Sequence, residues 1–284
     1  MSKDHVLTSF NTRISLRMSI LEQLNDISTT VNNEINSIRL IDHPKGFELL
    51  PSRCEATSIK VLLEKHGLSY QVEIKSNVEY ISTNGRFPVL IFNETDIVCG
   101  FSELVKYLWK RGYSLSEKLN QDEKCDMDIY TALIKRLEAL ELFTSWLIED
   151  NYTHVTLPAY TSHTTWPLSA ILPFYKKRQV YRLVASQGQW HDISSEMLMA
   201  ETKDVASALT ERLGDQGTFF KDGDTGQDVV TELDCLVYGH LNAIFMTKLP
   251  SYRMKRALGL HSRLIDYCKY VESKHGLRAQ RERS

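Results

Sequence analysis

The chain has 284 residues, 42% of them apolar and 10% aromatic, which is enough for about two domains with packed cores. The 34 basic and 36 acidic residues leave no positive excess for binding phosphates, so a nucleic-acid binder is not expected. The five cysteines are far apart and form no C-x-x-C pair, which argues against a disulfide framework or a zinc site and favours a reducing, cytosolic setting. No apolar run is long enough to predict a membrane span.

Residues 1–45 are predicted to form an amphipathic helical extension. Apolar residues recur three, four or seven positions apart, at Leu7, Phe10, Ile14, Leu21, Leu24, Val31, Ile35 and Ile38. This stripe can dock on the protein's own body, pair with another subunit or lie on a membrane, and the sequence leaves the three alternatives open. Acidic residues interrupt its basic pattern, which argues against a mitochondrial presequence. The stretch 42–46, with Pro44 and Gly46, is predicted to end the helix.

Residues 46–113 change to a mixed pattern of strands and helices. The predicted strands are 47–50, 70–74, 88–92 and 97–99, and the predicted helices are 57–65 and 102–111. The order strand, helix, strand, strand, strand, helix resembles a thioredoxin-like domain of glutathione-transferase type. In that resemblance, Phe87-Pro88 occupies the place of the fold's cis-proline turn.

Residues 114–284 are predicted to be helical. Amphipathic or apolar periodicity indicates helices beginning after the linker 114–124, at Pro167, near Ser194, at Thr231 and near Tyr252. The helix after Thr231 is apolar on nearly every side, which places it in a core. Thr231 and Asp234 have the spacing of a capping box. The fold class is therefore α/β plus all-α, with a thioredoxin-like domain followed by a helical domain.

Several short stretches give the resemblance more detail. They are Asn77-Val78-Glu79-Tyr80, Gly112-Tyr113-Ser114-Leu115-Ser116, Trp166-Pro167-Leu168 with Ile171-Leu172, and Thr231-Glu232-Leu233-Asp234 with Gly239-His240-Leu241. Within the glutathione-transferase fold, these stretches are similar to the metaxin family. The match runs from about residue 46 to residue 275 and leaves the N-terminal extension outside it.

The metaxin resemblance implies a non-enzymatic interaction subunit. It implies peripheral attachment to the cytosolic face of the mitochondrial outer membrane and partnership with metaxin 1. It further implies association with the β-barrel core of the sorting and assembly machinery, which serves protein import. A second role, in mitochondrial transport through Miro and kinesin or dynein adaptors, is also linked to the family. The resemblance implies no cofactor, metal or nucleic acid.

The alternative is a divergent glutathione-dependent enzyme. Such an enzyme needs a hydroxyl or thiol just after the first strand to hold glutathione as its thiolate, and Ser52 and Cys54 lie in that region. The transferase pattern also places a Glu-Ser pair before a helix, to hold the amino and carboxylate groups of the peptide. Gly100 and Phe101 occupy those positions here, so we expect the glutathione site to be lost.

Other candidate residues have structural interpretations. His240 is expected to be a hydrogen-bonded packing residue, since no histidine has metal-ligand spacing to a cysteine or to another histidine. Asp234 is expected to be a cap and not a general base. Trp166 suits either the core or a surface recognition site, and the core is the more frequent case. A basic patch, Lys176-Lys177-Arg178 with Arg182, is either a solvated surface or a contact for anionic lipid or an acidic partner. No catalytic, cofactor-binding or metal-binding residue is predicted.

Overall fold

The structure is a computed structural model that describes residues 35–44, 49–75, 78–162, 164–188 and 194–276. The chain divides into two units, Met1–Asn36 and Ser37–Ser284, and the description below concerns the second. Most of the predicted N-terminal stripe, from Leu7 to Val31, lies outside the described residues, so its role stays a prediction.

A four-stranded mixed sheet forms the first part of this unit. Its strands are β1 (Ile38–Asp42), β2 (Gln71–Ile74), β3 (Val89–Phe92) and β4 (Asp96–Cys99), in the order β2-β1-β3-β4. β1 is parallel to β2, whereas β3 is antiparallel to both β1 and β4. The helices of this part are α1 (Leu50–Lys65), the short α2 (Val78–Ile81) and α3 (Phe101–Trp109). This arrangement is thioredoxin-like.

The first strand in the described residues is β1. The predicted strand at 47–50 is wrong at Leu49 and Leu50, while residues 47 and 48 lie outside the described residues. Leu50 already begins α1, because Pro51 is tolerated in the first turn of a helix. Ile38, which we assigned to the helical stripe, lies in β1. β1 is the strand between β2 and β3, so its apolar residues are buried and look like a continuation of the stripe. The sheet therefore begins inside the range that we assigned to the extension.

The other strands follow their sequence signals closely. β2, β3 and β4 lie within one residue of the predicted ranges. The hairpin between β3 and β4 turns at Asn93 and Glu94, whose φ angles of 48° and 65° fit a turn that matches the twist of the strands. The Phe87-Pro88 peptide bond is cis, as the resemblance implied.

The second part is helical, apart from a two-stranded hairpin, β5 (Phe220–Lys221) and β6 (Asp228–Val229). Its helices are α4 (Gln121–Trp146), α5 (Glu149–Asn151), a π-helical turn (Tyr152–Thr156), α6 (Leu157–Thr161), α7 (Leu168–Gly188), α8 (Ser195–Leu213), α9 (Glu232–Met246), α10 (Arg253–Gly259) and α11 (Ser262–His275). The single closing helix predicted after Tyr252 is wrong. It is two helices, because Gly259 ends α10 and His261 leaves the helical conformation before α11. No helix in the described ranges is long and apolar enough to cross a bilayer.

α9 is the core helix that the sequence predicted. Its residues from Glu232 to Ile244 are buried, and it packs along α1 of the thioredoxin-like part. The predicted capping box is confirmed: the Thr231 backbone N–H donates to Asp234 Oδ2 at 2.9 Å, and the Thr231 hydroxyl donates to the same oxygen at 2.9 Å. Phe219 N–H and the Tyr267 hydroxyl donate to the other oxygen, Oδ1, at 3.2 and 3.1 Å. The position of the domain boundary at 113–114 stays a prediction.

Candidate functional site

The N-terminus of α3 is where the transferase pattern holds the carboxylate of glutathione, and here it binds a carboxylate of the chain itself. The Glu55 side chain, on α1, accepts a hydrogen bond from the Phe101 backbone N–H through Oε1 at 2.9 Å. An N-terminal helix N–H group is a ready donor to a negative charge. A Cβ at Gly100 would lie 2.7 Å from the same Glu55 oxygen, so a larger residue there would collide with it. Glu55 therefore occupies this position.

Arg86 forms ion pairs with Glu55 and with a second carboxylate, that of Glu138. Its guanidinium lies 3.4 Å from Glu55 Oε1 and 3.3 Å from Glu138 Oε2. Burial raises the pKa of Glu55, and the neighbouring Glu138 carboxylate adds to that shift, while Arg86 opposes it. Burial lowers the pKa of Arg86, but Glu138 and Glu55 outweigh it and raise that pKa overall. The group is thus a carboxylate, guanidinium and carboxylate bound to one another across α1, α4 and the loop before β3.

Cys54 and Ser52, the two candidates for a transferase nucleophile, are both buried. The Cys54 side chain is 0% exposed, and its thiol faces the His240 carbonyl oxygen at 3.9 Å. Burial raises the pKa of the Cys54 thiol well above its ordinary value, and the Glu141 carboxylate raises it further. Since the thiolate and not the thiol is the nucleophile, this position disfavours an active role for Cys54.

Thiol labelling tests this account of Cys54. All five cysteines are free, and Cys125 is the exposed one. We expect a thiol-specific reagent at pH 8 to modify Cys125 rapidly in the native protein and the other four cysteines after unfolding in denaturant. Peptide mapping by mass spectrometry identifies the modified residue. Rapid native labelling at Cys54, suppressed by added glutathione, would contradict the buried position and favour the enzyme.

Three potential ligand atoms meet in the core, a cluster that the sequence analysis missed. They belong to Cys54, Glu141 and His240, and all lie within 4.8 Å of one another. The residues come from α1, α4 and α9, so no spacing in the sequence signals them. His240 Nδ1 lies 2.6 Å from Glu141 Oε1, which confirms His240 as a hydrogen-bonded packing residue. An ion placed between these two atoms would have to replace that hydrogen bond.

The Glu141–His240 pair is fully buried, and burial and charge act on it in opposite directions. Burial lowers the pKa of His240, but the charge and hydrogen bond of Glu141 outweigh it and hold that pKa above its ordinary value. Burial raises the pKa of Glu141, with His240 opposing it. Removing one partner would leave the other polar group buried without its hydrogen bond, so the pair connects α4 and α9.

Two of the metaxin-like stretches, 112–116 and 231–234, meet through Glu232, and a third contacts distant elements through Glu79. Glu232 Oε1 accepts hydrogen bonds from the Trp109 indole at 3.0 Å and from the Leu115 backbone N–H at 2.8 Å. Glu79 accepts a hydrogen bond from the Tyr160 hydroxyl at 3.0 Å and forms an ion pair with Lys176. These residues position α9 and α7 against the thioredoxin-like part. They do not converge on a shared site.

Trp166 takes no part in these internal contacts, whereas the basic patch takes part through its two lysines. Trp166 is 82% exposed, so the core expectation for it is wrong. It precedes α7, which begins at Leu168. Lys176 and Lys177 bind Glu79 and Glu149, which makes this half of the patch part of the body of the protein.

Comparisons with known proteins agree with this geometry. Residues 57–177 match the family described as "Outer mitochondrial membrane transport complex protein", and residues 202–271 match the glutathione S-transferase C-terminal domain family. Metaxin-2 of Mus musculus is 29% identical over 79% of this chain and 82% of its own length. Metaxin-1 of Mus musculus is 27% identical over 69% of this chain and 62% of its own length.

The fold comparison points the same way. The maize glutathione S-transferase I, solved in complex with an atrazine glutathione conjugate, superposes with a TM-score of 0.53. The superposition covers 87% of this chain and 100% of the transferase. At 11% sequence identity, this is a likeness of fold alone. The hypothesis drawn from the motifs, of a metaxin most like metaxin 2 on a glutathione-transferase fold, is confirmed. The chain is similar to the metaxins, with its similarity to metaxin-2 extending over most of both sequences.

Proposed function

We propose that this chain is a non-enzymatic subunit of a mitochondrial outer-membrane complex that acts in protein import and in the sorting and assembly of β-barrel proteins. The observation that carries the proposal is the metaxin-2 match along 79% of the chain, joined to the outer-membrane transport family match over residues 57–177. The chain lies peripherally on the cytosolic face, bound to a metaxin-1-like partner beside the β-barrel core. A role in mitochondrial transport through Miro and motor adaptors is the second part of the proposal.

The region that would hold glutathione in a transferase supports a scaffold function here and not a transferase function. A transferase would need an accessible hydroxyl or thiol and a free helix N-terminus for the peptide carboxylate. Here Cys54 and Ser52 are buried, and Glu55 occupies the N-terminus of α3. In a scaffold, these same groups hold α1, α3 and α4 together. The proposed task is to present a surface and stabilise a complex, with no bond-breaking step.

Purification from membranes tests the proposal. The tagged full chain is isolated from gently solubilised mitochondrial membranes, with the cytosolic fraction as the control, and bound proteins are identified by mass spectrometry. We expect a metaxin-1-like chain in the membrane sample. Recovery of the β-barrel core supports the import role, and recovery of Miro or motor adaptors supports the transport role.

A matched variant separates the scaffold from the enzyme. Cys54→Ala removes the candidate nucleophile from the body of the protein, and we expect it to leave partner recovery unchanged. Recovery of the wild-type chain only from cytosol, without partners and retained on glutathione resin, would contradict the scaffold. The alternative of a divergent glutathione-binding enzyme would then hold.

A further inference from the structure

α7 carries an unusual surface for a helix on a folded body. Four large apolar side chains on one side of its first half are exposed. Phe174 is 65% exposed, Tyr175 is 64% exposed, and Leu168 and Ile171 are about half exposed. Spacings of three and four residues place them on one helix face. The opposite side, with Pro173, Val180 and Val184, is buried against the body of the protein, which includes α4. Together with Arg178, Tyr181 and Arg182 of the second half, the four exposed residues are called the outer face of α7.

The outer face carries positive charge without a counter-charge. Arg178 and Arg182 are both exposed, and neither has an acidic partner among the described residues. They follow Ile171 and Tyr175 at helical spacing, so they continue the same face. Across the whole sequence from Asn151 to His191 there is no Asp or Glu. The four-residue basic patch thus divides into two lysines bound internally and two arginines that face outwards.

The distances between the apolar and basic groups along α7 can be compared with the depth to which an interfacial segment enters a membrane. With a rise of about 1.5 Å per residue, Arg178 and Arg182 lie roughly 10 and 16 Å along the axis from Ile171. An interfacial segment buries its apolar residues about 5–10 Å into the boundary between head groups and acyl chains. A tilted α7 can therefore insert the end bearing Leu168, Ile171 and Phe174 while its arginines stay at the level of the phosphates.

The composition favours a lipid surface over a protein partner. Tryptophan and tyrosine are the residues that belong at the membrane interface, and Trp166, just before α7, is the most exposed large apolar residue described. Protein interfaces commonly use charges of both signs to fix register and reject wrong partners, whereas an anionic membrane requires positive charge alone. The segment from Asn151 to His191 has no acidic residue, so its charge is of the single sign that an anionic membrane requires.

We propose that the outer face of α7, with Trp166, binds directly to the surface of an anionic phospholipid membrane. Ile171, Phe174 and Trp166 insert between head groups, and Arg178 and Arg182 bind lipid phosphates. This contact goes beyond the proposed function, in which the partner holds the chain at the membrane. It requires no partner protein, so it can fail or succeed independently of the metaxin assignment.

Vesicle flotation with the purified full chain tests the inference. We expect binding to phosphatidylcholine vesicles that contain phosphatidylserine, much weaker binding to phosphatidylcholine alone, and loss of binding at high salt. The double variant Arg178→Gln with Arg182→Gln is expected to weaken binding about 25-fold, at roughly 5-fold for each arginine near the surface. Its matched control is Lys106→Gln with Lys110→Gln, which removes one positive charge from α3 and one from the residue that follows it, and should change binding little.

The apolar half of the face has its own variant and readout. Phe174→Ser is expected to weaken binding roughly 10-fold, and Ile129→Ser, at a residue equally exposed on α4, serves as its control. Lipids brominated on their acyl chains should quench tryptophan fluorescence in the wild-type chain and much less in Trp166→Tyr. All these side chains are exposed, so unchanged melting temperatures are expected for every variant.

Three outcomes would overturn the inference. Equal binding to neutral and anionic vesicles would remove the role of the arginines. Anionic binding that is unaffected by all outer-face variants would assign it to another part of the chain. Absence of vesicle binding, with the same variants abolishing recovery of a protein partner or self-association in light scattering, would make the outer face a protein interface.

Discussion

Replacing Gly239 with alanine is expected to destabilise the fold by about 3 kcal/mol or more, with a fall in melting temperature of roughly 10 °C. Gly239 lies on α9 where that helix crosses α1. A Cβ there would lie 2.5 Å from both Cα and N of Ser58, and it would also collide with the Ser58 hydroxyl. Because two of these atoms are backbone, no side-chain rotation relieves the collision and the helices would have to separate. Thermal and urea unfolding monitored by circular dichroism measures the effect.

Gly259→Ala is the matched control for this substitution. Gly259 ends α10, and a Cβ there meets no heavy atom within 4 Å. Alanine is a better helix former than glycine by up to about 1 kcal/mol, so the control should be neutral or slightly stabilising. If Gly239→Ala melts at the wild-type temperature, α1 and α9 do not cross as closely as the structure has them.

Replacing Asp234 with alanine has the second large expected effect. The carboxylate accepts hydrogen bonds from two backbone N–H groups, of Thr231 and Phe219, and from the hydroxyls of Thr231 and Tyr267. Removing it leaves those buried donors unsatisfied, and we expect a loss of about 2 kcal/mol at neutral pH. The exposed Asp266→Ala, on α11, is the control and should change stability by less than about 0.5 kcal/mol.

The contribution of Asp234 should also depend on pH, in a direction that the structure determines. Burial raises the pKa of Asp234 to about 6 in the folded protein, against the opposing hydrogen bonds. An acid whose folded pKa lies above its unfolded pKa stabilises the fold most when protonated, and this contribution is lost as pH rises through about 6. The deficit of Asp234→Ala should therefore be larger at pH 5 than at pH 7.5, by about 1 kcal/mol. A deficit that grows with rising pH would contradict the raised pKa.

Local signals made much of the helical and hairpin structure predictable. Thr231 and Asp234 have capping-box spacing, and the Asn93-Glu94 turn separates two short apolar runs; both features depend on residues that are neighbours in the sequence. β1 was missed because its apolar residues continue the spacing of the N-terminal stripe. A central strand that is buried on both faces has no alternation to distinguish it from the end of an amphipathic helix.

The candidate site could be predicted only in part. Gly100 and Phe101 stand where the transferase pattern has its Glu-Ser pair, and this local difference could be predicted from the sequence. Glu55 in place of the missing ligand was not, because the hydrogen bond to Phe101 joins residues far apart in sequence. The one available signal was the helix N-terminus at Phe101, which favours a nearby carboxylate. Trp166 was misjudged because the sequence shows a large apolar residue at the start of a helix and cannot show whether anything covers it.

In the proposed function, a glutathione-transferase fold binds a partner protein in place of glutathione. Calorimetric titration of the purified chain with a metaxin-1-like chain, and in parallel with glutathione, tests it most directly. We expect a saturable complex with the protein and no saturable heat with glutathione up to millimolar concentrations. Saturable glutathione binding together with no interaction between the two proteins would contradict it.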